Sequence, residues 1–233
     1  LLNTVPSALR AWLDAGAIGA QVHTINVAGE PLVRELAERA FAQTSVQRLC
    51  NLYGPSETTT YSTWVAMDRE SGFAPHIGRP IANTRIHVLD AQRRPMPQGA
   101  VGEIWIGGAG VARGYFNRPA LTAERFLDDP FAPGERMYRT GDLGRWRNDG
   151  MLEYVGRNDF QVKLRGFRIE LGEIESCLTD QDEVREAAVI VREDRPGERR
   201  LAAYVVPQDG QSIDSERLRT ALQTQLPEYM VPS

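Results

Sequence analysis

Apolar residues at helical spacing predict the first elements of the chain. Leu9, Trp12 and Leu13 share one face of a helix over 7–16 begun by Ser7. Gln21 to Val27 reads as a buried strand. Pro31 opens a second helix, with Leu32, Leu36, Ala40 and Phe41 at helical spacing, and Gln47 to Tyr53 reads as the next strand. A strand–helix–strand run predicts a parallel sheet covered by helices.

The period changes after about residue 80. Thr84 to Leu89 and Gly102 to Ile106 alternate, and Asn148-Asp149-Gly150 makes a hairpin turn between Arg145-Trp146 and Leu152-Glu153-Tyr154. This predicts a small antiparallel barrel or sheet. A third pattern starts near Asp159: a strand over 160–164, a helix over 170–179, strands over 184–191 and 201–206, and a helix over 212–226. The Leu218, Leu222 and Leu226 stripe on the last helix is core, too short for a zipper. Residues 159–233 carry 10 basic and 15 acidic residues against 17 and 16 before them. The shift in both pattern and charge predicts a domain boundary near Asp159.

Composition narrows the function. With 42% hydrophobic and 25% charged residues the chain buries a core, and its 233 residues allow two domains. A formal charge of −4 does not suit a phosphate-backbone binder, so no nucleic acid is expected. Cys50 and Cys177 form no CxxC or Cys/His cluster, which argues against zinc and suits a reducing cytoplasm. No apolar run reaches the length of a membrane span. Leu1 to Pro6 resembles no signal peptide, and without an initiator Met the chain reads as beginning inside something larger.

Four stretches carry chemistry-bearing residues. In Asn51 to Thr60 a strand ends in a Gly-Pro turn followed by Ser56, Glu57 and three threonines. The carboxyl ends of strands are where open α/β sheets place ligands, and there a ring can stack on a base while a lone carboxylate holds Mg²⁺ on phosphates; the plain alternative is a capped turn. Gly102 to Tyr115 is glycine-rich without a P-loop Gly-Lys-Ser/Thr, and reads as a β-turn with bulge glycines. In Tyr138 to Leu143, Asp142 follows a glycine turn, as a ribose-binding acid does or as a simple turn acid does. In Gly156 to Glu175 basic residues alternate with apolar ones before an acidic helix, a pattern that is usually only a salt-bridged surface. His23, His76 and His87 have no partner at a recognisable spacing and read as structural.

Order and spacing make these stretches specific. The chain resembles the adenylate-forming, AMP-binding superfamily, and within it the adenylation domains of nonribosomal peptide synthetases. Asn51 to Thr59 is similar to NxYGPTE, with Ser56 for the usual Thr. Gly102 to Tyr115 resembles GELxIxGxGxARGY, Tyr138 to Leu143 resembles YRTGDL, Gly156 to Glu175 resembles GRxDxQVKIRGxRIELGEIE, and Leu226 to Pro232 matches LPxYMVP.

The resemblance implies a mixed α/β and α+β fold. Residues 1–158 would end a large core, as a sheet portion over 1–80 and a β-barrel portion over 81–158; a hinge would join them to a small lid domain over 159–233. It implies an ATP-dependent ligase that joins an amino acid to AMP and passes it to a carrier-protein phosphopantetheine thiol. The catalytic residues would be Ser56, Glu57, Arg157 and Lys163. ATP would meet Gly29, Asn51, Tyr53, Gly54, Ser56, Asp142, Tyr154 and Arg157, with Glu57 the Mg²⁺ ligand. Asp159 would be the hinge, and Gly166 would approach the pantetheine path. Asn3, Asn26, Ala28, Leu52, Thr60 and Tyr61 align with the side-chain pocket. With no charged residue among them, a small uncharged amino acid is implied, alanine ahead of glycine or serine. Peptidyl carrier and condensation domains would be partners.

The resemblance also implies what the chain lacks. The family's phosphate loop and amino-group anchor would precede Leu1 and its adenylation lysine would follow Ser233, so a fragment inactive alone is expected. An acyl-CoA synthetase-like ligase and a non-catalytic scaffold domain are the alternative readings.

Overall fold

In the computed structural model, which describes residues 1–195 and 199–233, the chain divides into two compact units, Leu1–Asp159 and Phe160–Ser233. The larger unit begins with β1 (Leu2–Thr4), α1 (Pro6–Asp14), β2 (Thr24–Val27), α2 (Arg34–Gln43), β3 (Arg48–Tyr53), β4 (Thr63–Asp68) and β5 (Arg79–Pro80). Strands β1 to β5 pair in that order; the first three are parallel, while β4 and β5 are antiparallel. Side chains alternate along a strand. Ile25, Val27 and Leu49 therefore point together and are buried with Leu9, Leu36, Ala40 and Phe41 of the two helices.

The elements differ from the sequence reading at their starts. Helix α1 begins at Pro6, and the Glu30 carboxylate accepts from Ser7 N at 2.9 Å and from Ser7 Oγ at 3.0 Å, a negative charge on the helix amino terminus. Helix α2 begins at Arg34 because Val33 is extended, although Leu32 is still buried. Strand β2 is shorter than expected, since Ala20 and Gln21 form a turn.

The unit continues with β6 (Thr84–Leu89), β7 (Gly102–Gly108), α3 (Pro119–Arg125), β8 (Phe126–Asp128), β9 (Arg136–Trp146) and β10 (Leu152–Arg157). These strands form a second, antiparallel sheet in the order β10-β9-β7-β6. Strands β8 and β10 both pair the edge of β9 opposite β7, the first with Arg136 to Tyr138 and the second with Asp142 to Trp146. That leaves a gap along β9 at residues 139–141.

The smaller unit holds β11 (Gln161–Leu164), β12 (Phe167–Glu170), α4 (Leu171–Thr179), β13 (Val184–Glu193), β14 (Arg199–Pro207) and α5 (Ser215–Gln225). In this unit β12 is the strand absent from the sequence reading, which also named none of β1, β4, β5, α3 and β8 in the larger unit. Arg165 and Gly166 both have positive φ, so a tight hairpin returns the chain onto β11 before α4 starts. Glu170 is accordingly the last residue of β12 and flanks the helix, which has Glu173 in its first turn. Ile169, Ile174, Leu178, Val189, Leu201, Leu218 and Leu222 close one core.

Candidate active site

The turn after β3 is fixed by the backbone around it. A Cβ on Gly54 would lie 2.7 Å from both Ser62 N and Thr60 O, so only glycine fits. Thr59 and Thr60 follow in left-handed backbone, at φ 62° and 72°. That conformation strains β-branched residues and persists where surroundings impose it. The imposing structure is the glycine-rich stretch: Ala112 N donates to Glu57 O at 2.9 Å, and Thr59 Oγ1 donates to Gly110 O at 2.8 Å. Tyr115 Oη donates to Glu57 Oε1 at 2.7 Å and lies 3.3 Å from Tyr138 Oη. Burial first, and then these two neighbours, push the Tyr115 phenol well above its ordinary range. This stretch thus secures the carboxylate turn, a role its glycine pattern alone did not reveal.

Asp142 is placed by a bulge. Glu103 pairs with Leu143 and Trp105 with Arg139, so three residues of β9 face Ile104 alone. Side chains make good the broken ladder. Thr140 Oγ1 donates to Ile104 O at 2.6 Å, Asp142 N to Thr140 Oγ1 at 2.9 Å, and Gly141 N to Glu103 Oε1 at 3.1 Å. Gly141 has φ +74°, and a Cβ there would sit 2.5 Å from Asp159 Oδ2.

Four polar side chains converge on this bulge. Tyr53 Oη donates to Asp142 Oδ2 at 2.7 Å, and Arg157 Nη1 donates to Asp142 Oδ1 at 2.6 Å. Arg157 also donates from Nε and Nη2 to the two oxygens of Asp159, at 2.6 and 2.7 Å, and from Nη2 to Thr140 O at 3.1 Å. The guanidinium thereby fills the gap between β8 and β10. The side chains of Arg157 and Asp142 are only 9% and 2% exposed, so the pair is shielded from solvent. Burial opposes the Arg157 charge, but the Asp159 and Asp142 carboxylates outweigh it and hold the proton more tightly than usual. Burial and Asp142 push the Tyr53 phenol well above its ordinary range. The Tyr154 ring lies 6.2 Å from that of Tyr53, and burial raises its phenol to about 12.

The remaining candidates fall in separate places. Asn3, Asn26, Ala28 and Leu52 lie on the sheet face opposite the α1–α2 core, with Asn3 and Asn26 in register and Asn26 Nδ2 donating to Asn3 Oδ1 at 2.8 Å. Thr60 and Tyr61 follow in the turn beyond β3. Asn51 is buried and donates to His76 O at 3.3 Å, Ser56 is exposed, and Gly29 has φ +84° just past β2. Lys163 lies on β11 in the smaller unit, where its carbonyl accepts from Arg199 Nη1 at 3.3 Å. Among the described residues no three His, Cys, Asp or Glu side chains converge to hold a metal.

A model of AMP-binding enzymes matches residues 1–116, and a model of the AMP-binding enzyme C-terminal domain matches residues 173–233. The chain belongs to the AMP-binding enzyme family. Within the family it is similar to a linear gramicidin synthase of Brevibacillus parabrevis, 51% identical over 235 residues and all of this chain. It superposes on PA1221, an NRPS protein containing adenylation and PCP domains, with TM-score 0.80 and 29% identity over 99% of the chain. It also superposes on the Vibrio cholerae adenylation domain AlmE, solved with glycyl-adenosine-5'-phosphate, with TM-score 0.85 and 27% identity over the whole chain. These AMP-binding relatives are longer: the chain spans 5% of the gramicidin synthase, 46% of PA1221 and 45% of AlmE. No helix among the described residues is long and apolar enough to cross a membrane.

Proposed function

We propose that this AMP-binding chain serves amino-acid activation in a nonribosomal peptide synthetase, binding the nucleotide half of an aminoacyl adenylate. The observation that carries this reading is Asp142, a buried carboxylate held on one oxygen by Tyr53 and on the other by Arg157. A carboxylate so fixed accepts hydrogen bonds from vicinal hydroxyls without reorganising, which suits the ribose of ATP. Tyr53, beside Tyr154, offers an aromatic surface for adenine, with Asn51 at the base edge and Gly29 and Gly54 allowing close approach of backbone. Ser56 meets the α-phosphate.

The reaction is displacement at phosphorus. An amino-acid carboxylate oxygen bonds to the α-phosphorus of ATP, the bond from that phosphorus to the bridging oxygen breaks, and pyrophosphate leaves. A carrier-domain phosphopantetheine thiol, losing its proton, then attacks the acyl carbon and AMP departs. Mg²⁺, when bound, neutralises the charge that builds on the phosphate oxygens. The chain contributes Glu57 to that ion and Arg157 and Lys163 as positive charges, with Asp159 as hinge between the two orientations serving the two half-reactions.

Asn3, Asn26, Ala28, Leu52, Thr60 and Tyr61 shape the amino-acid pocket. The Asn3–Asn26 hydrogen bond ties up one donor and one acceptor, and none of the six is charged, which favours a small uncharged side chain, alanine first. One methylene is worth about 1–3 kcal/mol, so glycine and serine leak through. A reducing cytoplasm and neighbouring carrier and condensation domains complete the setting. The test is amino-acid-dependent ATP–pyrophosphate exchange, with the chain extended at both ends to the length of its solved relatives. Alanine giving the strongest exchange supports the reading; an aromatic or charged amino acid giving it overturns the pocket assignment.

A further inference from the structure

We infer that Glu103 is a positioning residue for the nucleotide, acting through the β9 bulge that aims Asp142. This role rests on the reading of Asp142 as a ribose acceptor and extends it to a residue that does not itself meet the ligand.

The bulge has a specific weakness. In a regular antiparallel ladder the carbonyl of Ile104 would accept a backbone amide of β9. With three residues of β9 set against Ile104, that carbonyl is taken instead by the Thr140 hydroxyl at 2.6 Å. The Gly141 amide is left to the Glu103 carboxylate, which accepts it at 3.1 Å. Glu103 is itself held from the other side. Arg139 Nε donates to both of its oxygens, at 3.0 and 3.1 Å, and the Arg139 guanidinium lies 5.9 Å from the Trp105 ring centroid. The carboxylate side chain is 12% exposed, so water does not readily replace it.

Without this acceptor the amide of a buried residue loses its partner, one residue before Asp142. Gly141 is the residue with the most freedom to relieve that loss, because it sits at φ +74° and glycine has a wide range open to it. A rotation there turns the Asp142 carboxylate away from Tyr53 and Arg157. Glu103 touches none of those side chains directly, so its effect on the ligand travels through backbone geometry alone.

The experiment uses the extended adenylation protein and measures dissociation constants for AMP and 2′-deoxy-AMP by calorimetry. The parent protein is expected to prefer AMP by roughly tenfold, one charge-assisted hydrogen bond. Glu103→Ala should reduce that preference to near unity, whereas Glu103→Gln, whose side-chain oxygen still accepts from Gly141, should keep most of it. Glu135→Gln, which breaks an ion pair with Arg85 elsewhere on the surface, should leave the ratio unchanged. If Glu103→Ala does not fold, Glu103→Met preserves length without the acceptor, and faster amide exchange at Gly141 together with lost discrimination is the expected result. Full discrimination in Glu103→Ala or Glu103→Met overturns the positioning role while leaving the ribose reading intact. Equal affinity of the parent protein for both nucleotides overturns the ribose reading and the inference with it.

Discussion

At the scale of single residues, the chain binds its chemistry with few, fully used polar groups. Tyr53, Glu57, Asp142 and Arg157 became candidates in the sequence because each lies in a stretch that resembles a family motif. Their mutual contacts were not visible: Tyr53 and Asp142 are 89 residues apart, and no local pattern announces their 2.7 Å hydrogen bond. Tyr115, Glu103 and Thr140 were not among the candidates for the same reason, since each bonds a distant partner in the turn or the bulge. His87 shows the opposite case, a residue read as structural that still has a consequence. Its ring stacks on Phe131 at 4.4 Å, its Nε2 is buried without a hydrogen bond, and it lies 3.9 Å from the buried Asp129 carboxylate, with Arg85 beside that carboxylate. Burial and Arg85 hold His87 below its ordinary 6.5, against the pull of Asp129. A histidine depressed in the folded state takes its proton more readily when unfolded, so it contributes stability above about pH 6.5 that is lost as pH falls. Urea melts are therefore expected to show a loss of stability below that pH that His87→Gln diminishes. An unchanged pH profile in the variant would contradict this account.

At the scale of elements, periodicity placed most helices and strands but not β1, β4, β5, α3, β8 or β12, and boundaries followed chemistry that periodicity does not carry. Helix α2 starts late because Val33 is extended, and β12 escaped because Arg165 and Gly166 turn the chain within two residues. Gly141 was read as a turn, whereas the pairing with β7 shows a bulge in which three residues of β9 oppose one. Helix α5 was expected from Ser212, yet it begins at Ser215 because Asp214 caps it, its side chain accepting from Glu216 N at 3.0 Å and Arg217 N at 3.2 Å. Asp214→Ala should cost about 0.5–2 kcal/mol in chemical denaturation. A variant as stable as the parent would show that the core leucines of α5 hold its start without the cap.

At the scale of the whole molecule, the chain is two compact units, and Asp159 is the last residue of the larger one. Its carboxylate is not idle there, because it takes two donors from Arg157. The proposed hinge is thus tied to the cluster of Tyr53, Asp142 and Arg157. Asp159→Pro restricts φ at that position and removes the carboxylate. Adenylation and thioester transfer, measured separately in the extended protein, should then change by different factors; equal changes would contradict a two-orientation mechanism. The proposed function turns on one group: the buried Asp142, set between Tyr53 and Arg157, as the nucleotide acceptor of an amino-acid-activating enzyme. Its most direct test is alanine-dependent ATP–pyrophosphate exchange in Asp142→Asn, which keeps the side chain's shape and removes its charge. Exchange should fall on the order of 10- to 100-fold, with a raised KM for ATP and little change in that for alanine. Exchange equal to that of the parent protein, in a variant that remains folded, would contradict the account.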